Sequence, residues 1–221
     1  VTVSATYNHA EAEATTFQTY TIVDTDTAGT YACSLGGTDA ADFSASISGK
    51  VCTVVWASAP DYDSPADAGT NNVYDITVSF TDGTNALGAQ TTAITVTDVN
   101  DQTPAATVAA TYSVAENTAT VGTMSITDTD TSGTQACSVA GADNALFTCT
   151  VSSGTATLAF ASAPNYESPG DAGANNVYDI TVSFTDGTNT LGAQTTAITV
   201  TDLNDQTPAA TVAATYSVAE N

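Results

Sequence analysis

Acidic side chains recur in short groups along this chain of 221 residues, and their oxygens are of the kind that bind metal ions. The residues that one cluster could draw on are Glu11, Asp61, Asp63, Asp98, Asn100, Asp101, Asp128, Asp130 and Asp186. Two carboxylates about 4 Å apart repel by about 4 kcal/mol at an effective dielectric constant near 20. A hard dication such as calcium, with roughly six to eight oxygen ligands, would remove that repulsion. The alternative is that each is a solvated turn residue, since Asp and Asn favour turns.

The groups recur because the sequence repeats itself with a spacing of 104 residues. Residues 68–104 match residues 172–208 with only three differences. A period of this kind indicates an array of similar domains. We therefore predict one repeat over 1–103 and a second over 104–207. Residues 208–221 are expected to be the opening strand of a third repeat, or a strand donated to a neighbour.

The pattern of apolar residues predicts strands. Residues 73–80 alternate apolar and polar side chains and are followed by the turn signal Thr81-Asp82-Gly83. No window of eleven or more residues has helical periodicity. Short strands separated by Gly, Asn and Asp turns predict an all-β fold of tandem antiparallel β-sandwiches. Because a sandwich brings its loops to its two ends, we expect the acids of consecutive repeats to face one another across the linker.

The charge balance excludes several classes of partner. The net charge is −23 at pH 7, and Lys50 is the only lysine or arginine. Nucleic acids are excluded because proteins bind them through Lys and Arg, and anionic membrane surfaces are excluded on the same ground. No run of eighteen apolar residues is present, so membrane insertion is not expected.

The four cysteines, two in each repeat, fit disulfides within the repeats and an oxidising, extracellular compartment. Cys33 and Cys137 are equivalent, but the second cysteines, Cys52 and Cys149, are not. A hairpin whose turn centres on Ser48-Gly49 would place positions 45 and 52 opposite each other, so that either could reach the same third strand. We predict the disulfides Cys33–Cys52 and Cys137–Cys149, with free thiols or a metal site as the alternatives.

A set of spaced motifs resembles the motifs of cadherin repeats. They are Ala-Glu-Asn at 115–117, Asp-Tyr-Asp at 61–63, Asp-Val-Asn-Asp at 98–101 ahead of Pro104, Asp-Thr-Asp at 24–26 and 128–130, and the aspartates at 82 and 186. The low lysine content, the abundant Ala and Thr and the near-identical copies are more similar to bacterial cadherin-like surface or adhesin repeats than to animal receptors. The resemblance implies seven-stranded Greek-key β-sandwiches, cadherin-like or Ig-like, joined end to end with calcium ions at the junctions.

The resemblance also implies the ligands of each junction. Between the two repeats they are Glu11, Asp61, Asp63, Asp98, Asn100, Asp101, Asp128, Asp130 and Asp186, with the carbonyl groups of Val99 and Gln102. After the second repeat they are Glu116, Glu167, Asp202, Asn204 and Asp205, awaiting a third repeat. Asp24, Asp26 and Asp82 would serve a preceding repeat. The chain departs from the family pattern at Asp63, where Glu is usual, at Asn165, where an acid is usual, and after Glu11, where Asn is usual.

The favoured function is structural and adhesive. We expect calcium to stiffen the junctions, so that a secreted, extracellular array forms a rod or filament on the cell surface, with neighbouring repeats or identical subunits as partners. The alternative is a carbohydrate-binding or surface-binding module of a large adhesin, whose exposed Thr rows contact a surface glycan. An enzyme is not expected, because the only histidine, His9, has no counterpart in the second repeat. His9 is expected to be an exposed strand residue, and Trp56 and the tyrosines are assigned to the core and the strand faces.

Overall fold

Strands and turns dominate the computed structural model, which describes residues 1–13, 16–26, 28–212, 214–215 and 217–220. Two short 3-10 turns, Ala40–Asp42 and Asn144–Leu146, are the only helical segments in that part of the chain. The contacts between residues divide the chain into two compact units. Unit 1 comprises Val1–Pro104, Asp128–Thr134 and Asp186–Asn189, and unit 2 comprises Ala105–Thr127, Gln135–Thr185 and Thr190–Asn221.

Unit 1 contains seven strands among its described residues. They are β1 (Thr6–Ala10), β2 (Thr16–Thr21), β3 (Ala32–Gly36), β4 (Phe43–Ser48), β5 (Val51–Trp56), β6 (Val73–Thr81) and β7 (Ala86–Thr97). One sheet has the order β1-β7-β6-β3 and the other the order β2-β5-β4. β1 runs parallel to β7, whereas the other neighbours in both sheets are antiparallel.

Unit 2 repeats this plan with one short additional strand. Its strands are β8 (Ala105–Ala106), β9 (Thr111–Ala115), β10 (Thr120–Thr127), β11 (Ala136–Ala140), β12 (Phe147–Ser152), β13 (Thr155–Phe160), β14 (Val177–Thr185) and β15 (Thr190–Thr201). The sheets have the orders β11-β14-β15-β9 and β12-β13-β10-β8. Apart from the two-residue strand β8, each sheet corresponds strand by strand to one in unit 1. The predicted fold of Greek-key β-sandwiches is confirmed.

The cores lie where the alternating sequence pattern places them. In β6, Tyr74, Ile76, Val78 and Phe80 are buried, and the intervening residues are more exposed. Each core also holds a cluster of aromatic rings in tilted or perpendicular contact. Large rings bury much apolar area and favour these geometries. In unit 1 the Trp56 ring lies 4.9 Å from the Tyr74 ring at an interplanar angle of 86°. The assignment of Trp56 to the core is therefore confirmed.

Both predicted disulfides are present. The Cα atoms are 6.2 Å apart for Cys33–Cys52 and 5.8 Å apart for Cys137–Cys149. The hairpin register behind the prediction was wrong, because Cys52 lies opposite Ile47 and Ala45 lies opposite Val54. The turn is therefore centred one residue further along the chain, at Gly49-Lys50. Gly49 has φ +58°, in the left-handed region that glycine adopts most readily, which favours a turn at this point.

His9 is not the exposed strand residue that the sequence suggested. It lies in β1, but its ring is partly buried and lies 5.4 Å from the ring of Trp56 and 6.5 Å from that of Phe17. Its Nε2 atom is buried and has no hydrogen-bond partner. Burial lowers the pKa of the imidazole, and the nearby charge of Glu13 offsets part of that effect. The apolar side of strand β1 therefore includes a polar ring.

Two features concern the ends of the fold. Among the described residues of 208–221 none belongs to a strand, and Ala213, Tyr216 and Asn221 lie outside the described residues. The expected strand there stays a prediction, as do the repeat boundaries. In the part of the chain that the structure describes, no helix has the length and apolar character needed to span a bilayer.

Candidate calcium-binding site

Three overlapping groups of carboxylates lie in unit 1. They are Glu11 with Asp61 and Asp63, Asp63 with Asp98 and Asp130, and Asp128 with Asp130 and Asp186. Within each group, one oxygen from every residue lies within 4.8 Å of the others. Asp63 and Asp130 each belong to two groups, so the three groups form a continuous row. The structure therefore brings together seven of the eight acids that the sequence placed in one set, all except Asp101.

Glu11 organises the first group because it follows directly after the parallel pair β1 and β7, in which Ala10 lies opposite Thr97. The side chain is only 4% exposed. Its Oε2 accepts the backbone N–H of Tyr62 at 2.5 Å, and its Oε1 accepts that of Val99 at 2.7 Å. One buried carboxylate thus fixes the 61–63 segment beside the start of the 98–101 segment. A charge-assisted bond of this type is stronger than a neutral one.

Asp98 and Asp130 join the next two acidic segments. Asp98 Oδ2 accepts the backbone N–H groups of Thr131 at 2.8 Å and Ser132 at 2.9 Å, and the Thr131 hydroxyl at 2.5 Å. Asp130 Oδ2 accepts the N–H of Gln102 at 2.9 Å. Burial raises the pKa of Asp98, but the bonds from Thr131 and Ser132 outweigh it, and the pKa lies below its ordinary value. Asp98 is therefore ionised at neutral pH.

Asp186 begins a tight turn, Asp-Gly-Thr-Asn, that presents the third group. Its Oδ1 accepts the N–H groups of Thr188 and Asn189, both at 2.7 Å. Burial raises the pKa of Asp186, but hydrogen bonds from Asn189 and Thr188 lower it below its ordinary value. Asn189 also donates from Nδ2 to Asn100, at 3.3 Å to the backbone oxygen and 3.1 Å to Oδ1. The sequence analysis missed Asn189, although Asp-Gly-Thr-Asn recurs at residues 82–85 and could have indicated it.

Several oxygens in this row are buried without a hydrogen-bond donor. They are both Oδ atoms of Asp63 and the Oδ1 atoms of Asp98, Asp128 and Asp130. Buried polar atoms are normally paired, and an unpaired charged oxygen is costly. The hydrogen bonds described above use the Oδ2 atoms of Asp98 and Asp130 and leave their Oδ1 atoms unpaired. Because no donor among the described residues makes a hydrogen bond of good geometry to these five atoms, a cation is the partner that fits them.

The pKa values of Asp63 and Asp130 are shifted by the same repulsion between carboxylates. The pKa of Asp63 lies above its ordinary value. Burial raises it, the Thr129 hydroxyl lowers it, and the charges of Asp130, Glu11 and Asp61 raise it further. Burial also raises the pKa of Asp130; the Gln102 N–H lowers it, and the charges of Asp128, Asp98 and Asp101 raise it again. These two shared residues therefore carry the electrostatic strain of the row.

The side-chain amide of Asn100 lies against two carboxylates of the row. Its Oδ1 lies 3.0 Å from Asp130 Oδ2 and 2.9 Å from Asp186 Oδ2. Without a cation, the amide would gain by turning over, because its nitrogen would then donate to both carboxylates. With a cation among the three oxygens, the oxygen is the correct atom. Oxygens about 2.4 Å from a central calcium ion lie roughly this close to each other.

The donor set fits calcium better than the other common metals. The row offers only carboxylate and amide oxygens, with no thiolate or imidazole ligand, which is the chemistry of hard cations. Seven acidic residues supply more oxygens than a magnesium ion needs, and calcium accepts a larger and less regular shell. Bound calcium would offset the negative charge of the row and hold its five segments against each other, those that contain Glu11, Asp61, Asp98, Asp128 and Asp186.

Other predicted ligands of this set lie apart from the row or use different atoms. Asp101 is exposed, belongs to none of the three groups and accepts the Gln102 side-chain amide at 2.7 Å. Val99 and Gln102 contribute backbone N–H groups to Glu11 and Asp130. Their carbonyl groups as metal ligands stay a prediction. Asp61 is exposed, although it belongs to the first group.

Among the described residues of unit 2, one acidic group lies in the equivalent place. Glu116, Glu167 and Asp205 offer oxygens within 4.8 Å of one another, and Glu116 is 1% exposed. Glu116 accepts the N–H groups of Tyr166 and Leu203, both at 2.9 Å, just as Glu11 accepts its two. A backbone hydrogen bond lowers the pKa of Glu167, but burial and the neighbouring acids raise it above its ordinary value.

The remaining predicted ligands do not join a group in the described residues. Asp202 and Asn204 are exposed, while Asp24, Asp26 and Asp82 occur in none of the groups. Asp24 instead accepts the Tyr31 hydroxyl at 3.1 Å and the N–H of Asp26 at 3.0 Å. The Lys50 ammonium donates to the Asp24 carbonyl at 2.7 Å and lies 5.2 Å from the centre of the Tyr31 ring. The single lysine of the chain therefore supplies positive charge at this end of unit 1.

The fold agrees with solved structures of cadherin ectodomains. No family model matches the chain. It is similar to the cis-dimer structure of protocadherin gammaB7 repeats EC3-6 at 19% identity and a TM-score of 0.62, covering 92% of this chain and 47% of that one. Human protocadherin-24 EC1-2 gives 19% identity and a TM-score of 0.62, covering 90% and 95% of the two chains. The human desmocollin-1 ectodomain gives 14% identity and a TM-score of 0.64, covering 91% of this chain and 42% of that one.

The chain thus spans about half the length of the protocadherin gammaB7 fragment, and nearly all of the protocadherin-24 fragment. At these identities the likeness is one of fold. The chain has the cadherin-type β-sandwich fold, with two sequence repeats and a row of unpaired acidic oxygens.

Proposed function

We propose that this chain is an extracellular, calcium-binding repeat module with a structural and adhesive role. The observation that carries the proposal is the set of buried carboxylate oxygens of Asp63, Asp98, Asp128 and Asp130 that have no hydrogen-bond partner among the described residues. A solvated turn would expose these atoms to water. The two disulfides and the presence of only one lysine or arginine against 24 acids are consistent with a secreted protein in a calcium-containing medium.

Calcium would act as a cross-link between segments that are far apart in the sequence. The row joins residues 61–63 and 98–101 to residues 128–130 and 186, so that acids of the first and second sequence repeats share ligand groups. Neutralising the row would replace repulsion by attraction between these segments. In an array of such repeats the result would be a stiff rod or filament on the cell surface, of the bacterial surface or adhesin kind that the composition resembles. Such a module needs no catalytic residues.

The supporting experiment is a direct measurement of calcium binding and of its mechanical effect. Isothermal titration of the 221-residue protein with CaCl₂ should give binding that is lost in the double variant Asp63→Asn/Asp130→Asn. Small-angle scattering in EGTA and in calcium should give a narrower distribution of dimensions with calcium in the wild type only. The matched control is Asp75→Asn/Asp179→Asn, which removes two charges from exposed strand positions outside the row. Equal binding by both double variants would contradict the proposal.

The carbohydrate-binding alternative has one surface feature in its favour. A groove in unit 2 of about 400 Å³ is lined by the hydroxyl-bearing Thr181 and Thr195 together with Asp179. The groove lacks the aromatic platform on which sugar rings commonly stack, since no aromatic residue is among the described residues that line it. Glycan-array binding that survives Asp63→Asn/Asp130→Asn but is lost in Thr181→Val/Thr195→Val would favour this alternative.

A further inference from the structure

The segment that carries Asp61 and Asp63 is held at its centre through the backbone of Tyr62. The Tyr62 N–H donates to Glu11 Oε2 at 2.5 Å, and the Tyr62 carbonyl accepts a hydrogen bond from the Asn72 side-chain amide at 2.9 Å. Glu11 belongs to the acidic row, whereas Asn72 comes from the loop ahead of β6 and was not among the predicted ligands. The backbone between the two acids is therefore fixed from two sides.

Asp63 depends on this backbone more than Asp98 and Asp130 do. It belongs to two of the three acidic groups, and no hydrogen bond of good geometry reaches either of its carboxylate oxygens. Asp98 and Asp130 each have an Oδ2 atom that accepts at least one backbone N–H group. Because the neighbouring acids repel Asp63, its position without a cation is set chiefly by the backbone at Tyr62.

The backbone of Asn72 is itself firmly held. Its N–H donates to the carboxylate of Asp67 at 2.9 Å, and its carbonyl accepts the N–H of Val96 in β7, also at 2.9 Å. Asp67 is only 2% exposed and accepts the N–H groups of Gly69 at 3.0 Å and Asn71 at 3.1 Å as well. The side-chain amide that reaches Tyr62 therefore extends from a fixed point of the loop.

The contact with Tyr62 is what the amide of Asn72 adds to this loop. Asn72 has φ +62°, a left-handed conformation that asparagine tolerates and that glycine adopts without steric cost. The Oδ1 atom of Asn72 is buried and has no hydrogen-bond partner, which is unfavourable. Glycine would suit the backbone and would leave no buried oxygen unpaired. The donation from Nδ2 to the Tyr62 carbonyl is therefore the favourable contribution of this side chain.

The same arrangement is present in unit 2. Asn176 has φ +61° and donates its backbone N–H to Asp171 at 3.0 Å and its side-chain amide to the Tyr166 carbonyl at 2.9 Å. The Tyr166 N–H donates to Glu116 at 2.9 Å. Both loops share the sequence Asp-Ala-Gly-x-Asn-Asn, at 67–72 and 171–176. The contact is therefore a feature of the repeat rather than of one loop.

We propose that Asn72 is a positioning residue of the acidic row, whose amide holds the Tyr62 peptide so that Asp61 and Asp63 stay where they can share a cation. This inference rests on the proposed function and deepens it, because it names a residue that sets calcium affinity by acting through Tyr62. A segment that is fixed beforehand loses less conformational entropy when an ion binds. Replacing residues that orient metal ligands typically weakens metal binding by about 10- to 100-fold.

Asn72→Gly tests the proposal because it removes the amide and keeps the left-handed backbone. Isothermal titration of the 221-residue protein with CaCl₂, well below its melting temperature, should give an affinity of the row about tenfold lower than in the wild type. The binding that belongs to the row is the part that Asp63→Asn/Asp130→Asn loses. In EGTA, the amide hydrogen of Tyr62 should exchange at least about tenfold faster by NMR, whereas that of Tyr166 should not change.

Asn176→Gly is the matched control, because it removes the same hydrogen bond from unit 2. It should lower the melting temperature in EGTA about as much as Asn72→Gly does, yet leave the calcium affinity of the row unchanged. Wild-type affinity in Asn72→Gly would overturn the proposal and leave a purely structural role, as would an unchanged exchange rate at Tyr62. If the wild type itself bound no calcium, the proposed function would fail, and exchange at Tyr62 in EGTA would still decide whether Asn72 fixes the segment.

Discussion

Asp63→Asn should change the stability of the protein in opposite directions with and without calcium. Asp63 belongs to two acidic groups, and neither of its carboxylate oxygens receives a hydrogen bond of good geometry. In the absence of calcium the repulsion from the neighbouring acids therefore outweighs the one favourable contact of its charge, with the Thr129 hydroxyl. The amide of asparagine has almost the same shape, carries no charge and can donate to the unpaired oxygens of Asp98 or Asp130.

The distance between carboxylate oxygens within each group sets the size of the stabilisation expected for Asp63→Asn in EGTA. Two charges 4.8 Å apart repel by about 3.5 kcal/mol at an effective dielectric constant of 20 and by about 0.9 kcal/mol in bulk water. Asp63 is only partly buried, and salt screens part of this energy, so we expect a gain of about 1–3 kcal/mol in EGTA. For a unit of this size, that corresponds to a rise in melting temperature of about 4 °C or more.

With saturating calcium the sign should reverse. Removal of one anionic ligand weakens calcium binding, and each tenfold loss of affinity removes about 1.4 kcal/mol of stabilisation. Differential scanning calorimetry in EGTA and in millimolar CaCl₂ measures both effects. Asp75→Asn removes the same charge from an exposed position on β6 outside the groups and should shift the melting temperature little in either buffer. Asp63→Glu, which keeps the charge, should not stabilise the protein in EGTA.

The refuting result is specific. If Asp63→Asn lowers the melting temperature in EGTA as much as in calcium, the carboxylate makes a favourable contact in the metal-free protein. The interpretation that the carboxylates of the row repel one another until a cation binds would then be wrong, and Asp63 would be an ordinary turn residue.

Three further predictions follow from the same contacts. Asn189→Ala should weaken calcium binding about tenfold, because the Asn189 side chain donates hydrogen bonds to Asn100 and Asp186. The control Asn85→Ala loses the equivalent contact with Asp82 and should leave calcium binding unchanged. Titration calorimetry compares the calcium affinities of the two variants. In EGTA, lowering the pH from 7 towards 4 should stabilise the wild type relative to Asp63→Asn, because the folded pKa of Asp63 lies above its unfolded value near 3.8 and protonation relieves the repulsion. With calcium the trend should reverse, because protons compete with the ion for the carboxylate. Thermal melts across that pH range, in EGTA and in calcium, measure both effects. Asp98 and Asp186 do not oppose this trend within that window, because their lowered pKa values place their loss of stability below it. Cys33→Ala/Cys52→Ala should lower the free energy of unfolding of unit 1 by about 3 kcal/mol, since the disulfide closes a loop of 19 residues; denaturant titration with unit 2 as internal reference measures this.

Much of the fold was predictable from local patterns. Alternation in residues 73–80 identified β6, and the 104-residue period predicted that the two units share one plan. The cysteine pairing was predicted correctly through a hairpin with the wrong register, because the sequence shows that a turn is present but not which residue takes the left-handed conformation. The structure places Gly49 there, with φ +58°.

The site was predictable in its membership but not in its hydrogen bonding. The sequence singled out every acid in the row, because types and spacings recur. It missed Asn189 and the role of Thr131 and Ser132 as donors to Asp98, since an ordinary turn residue becomes a partner only when distant segments meet. It also placed Asp101 with the row, whereas the structure leaves that side chain exposed. For His9, the sequence showed a lone residue without a counterpart, but only packing against Trp56 placed the ring in a partly buried, apolar setting.

The sequence by itself determined the all-β architecture, the repeat, the excess of negative charge and the oxygen chemistry of the candidate ligands. These follow from periodicity and residue type, which are local properties of the chain. Only the tertiary structure decided which carboxylate oxygens are paired and which are not. That distinction depends on the direction of backbone N–H groups from segments far apart in sequence, and no local pattern specifies it.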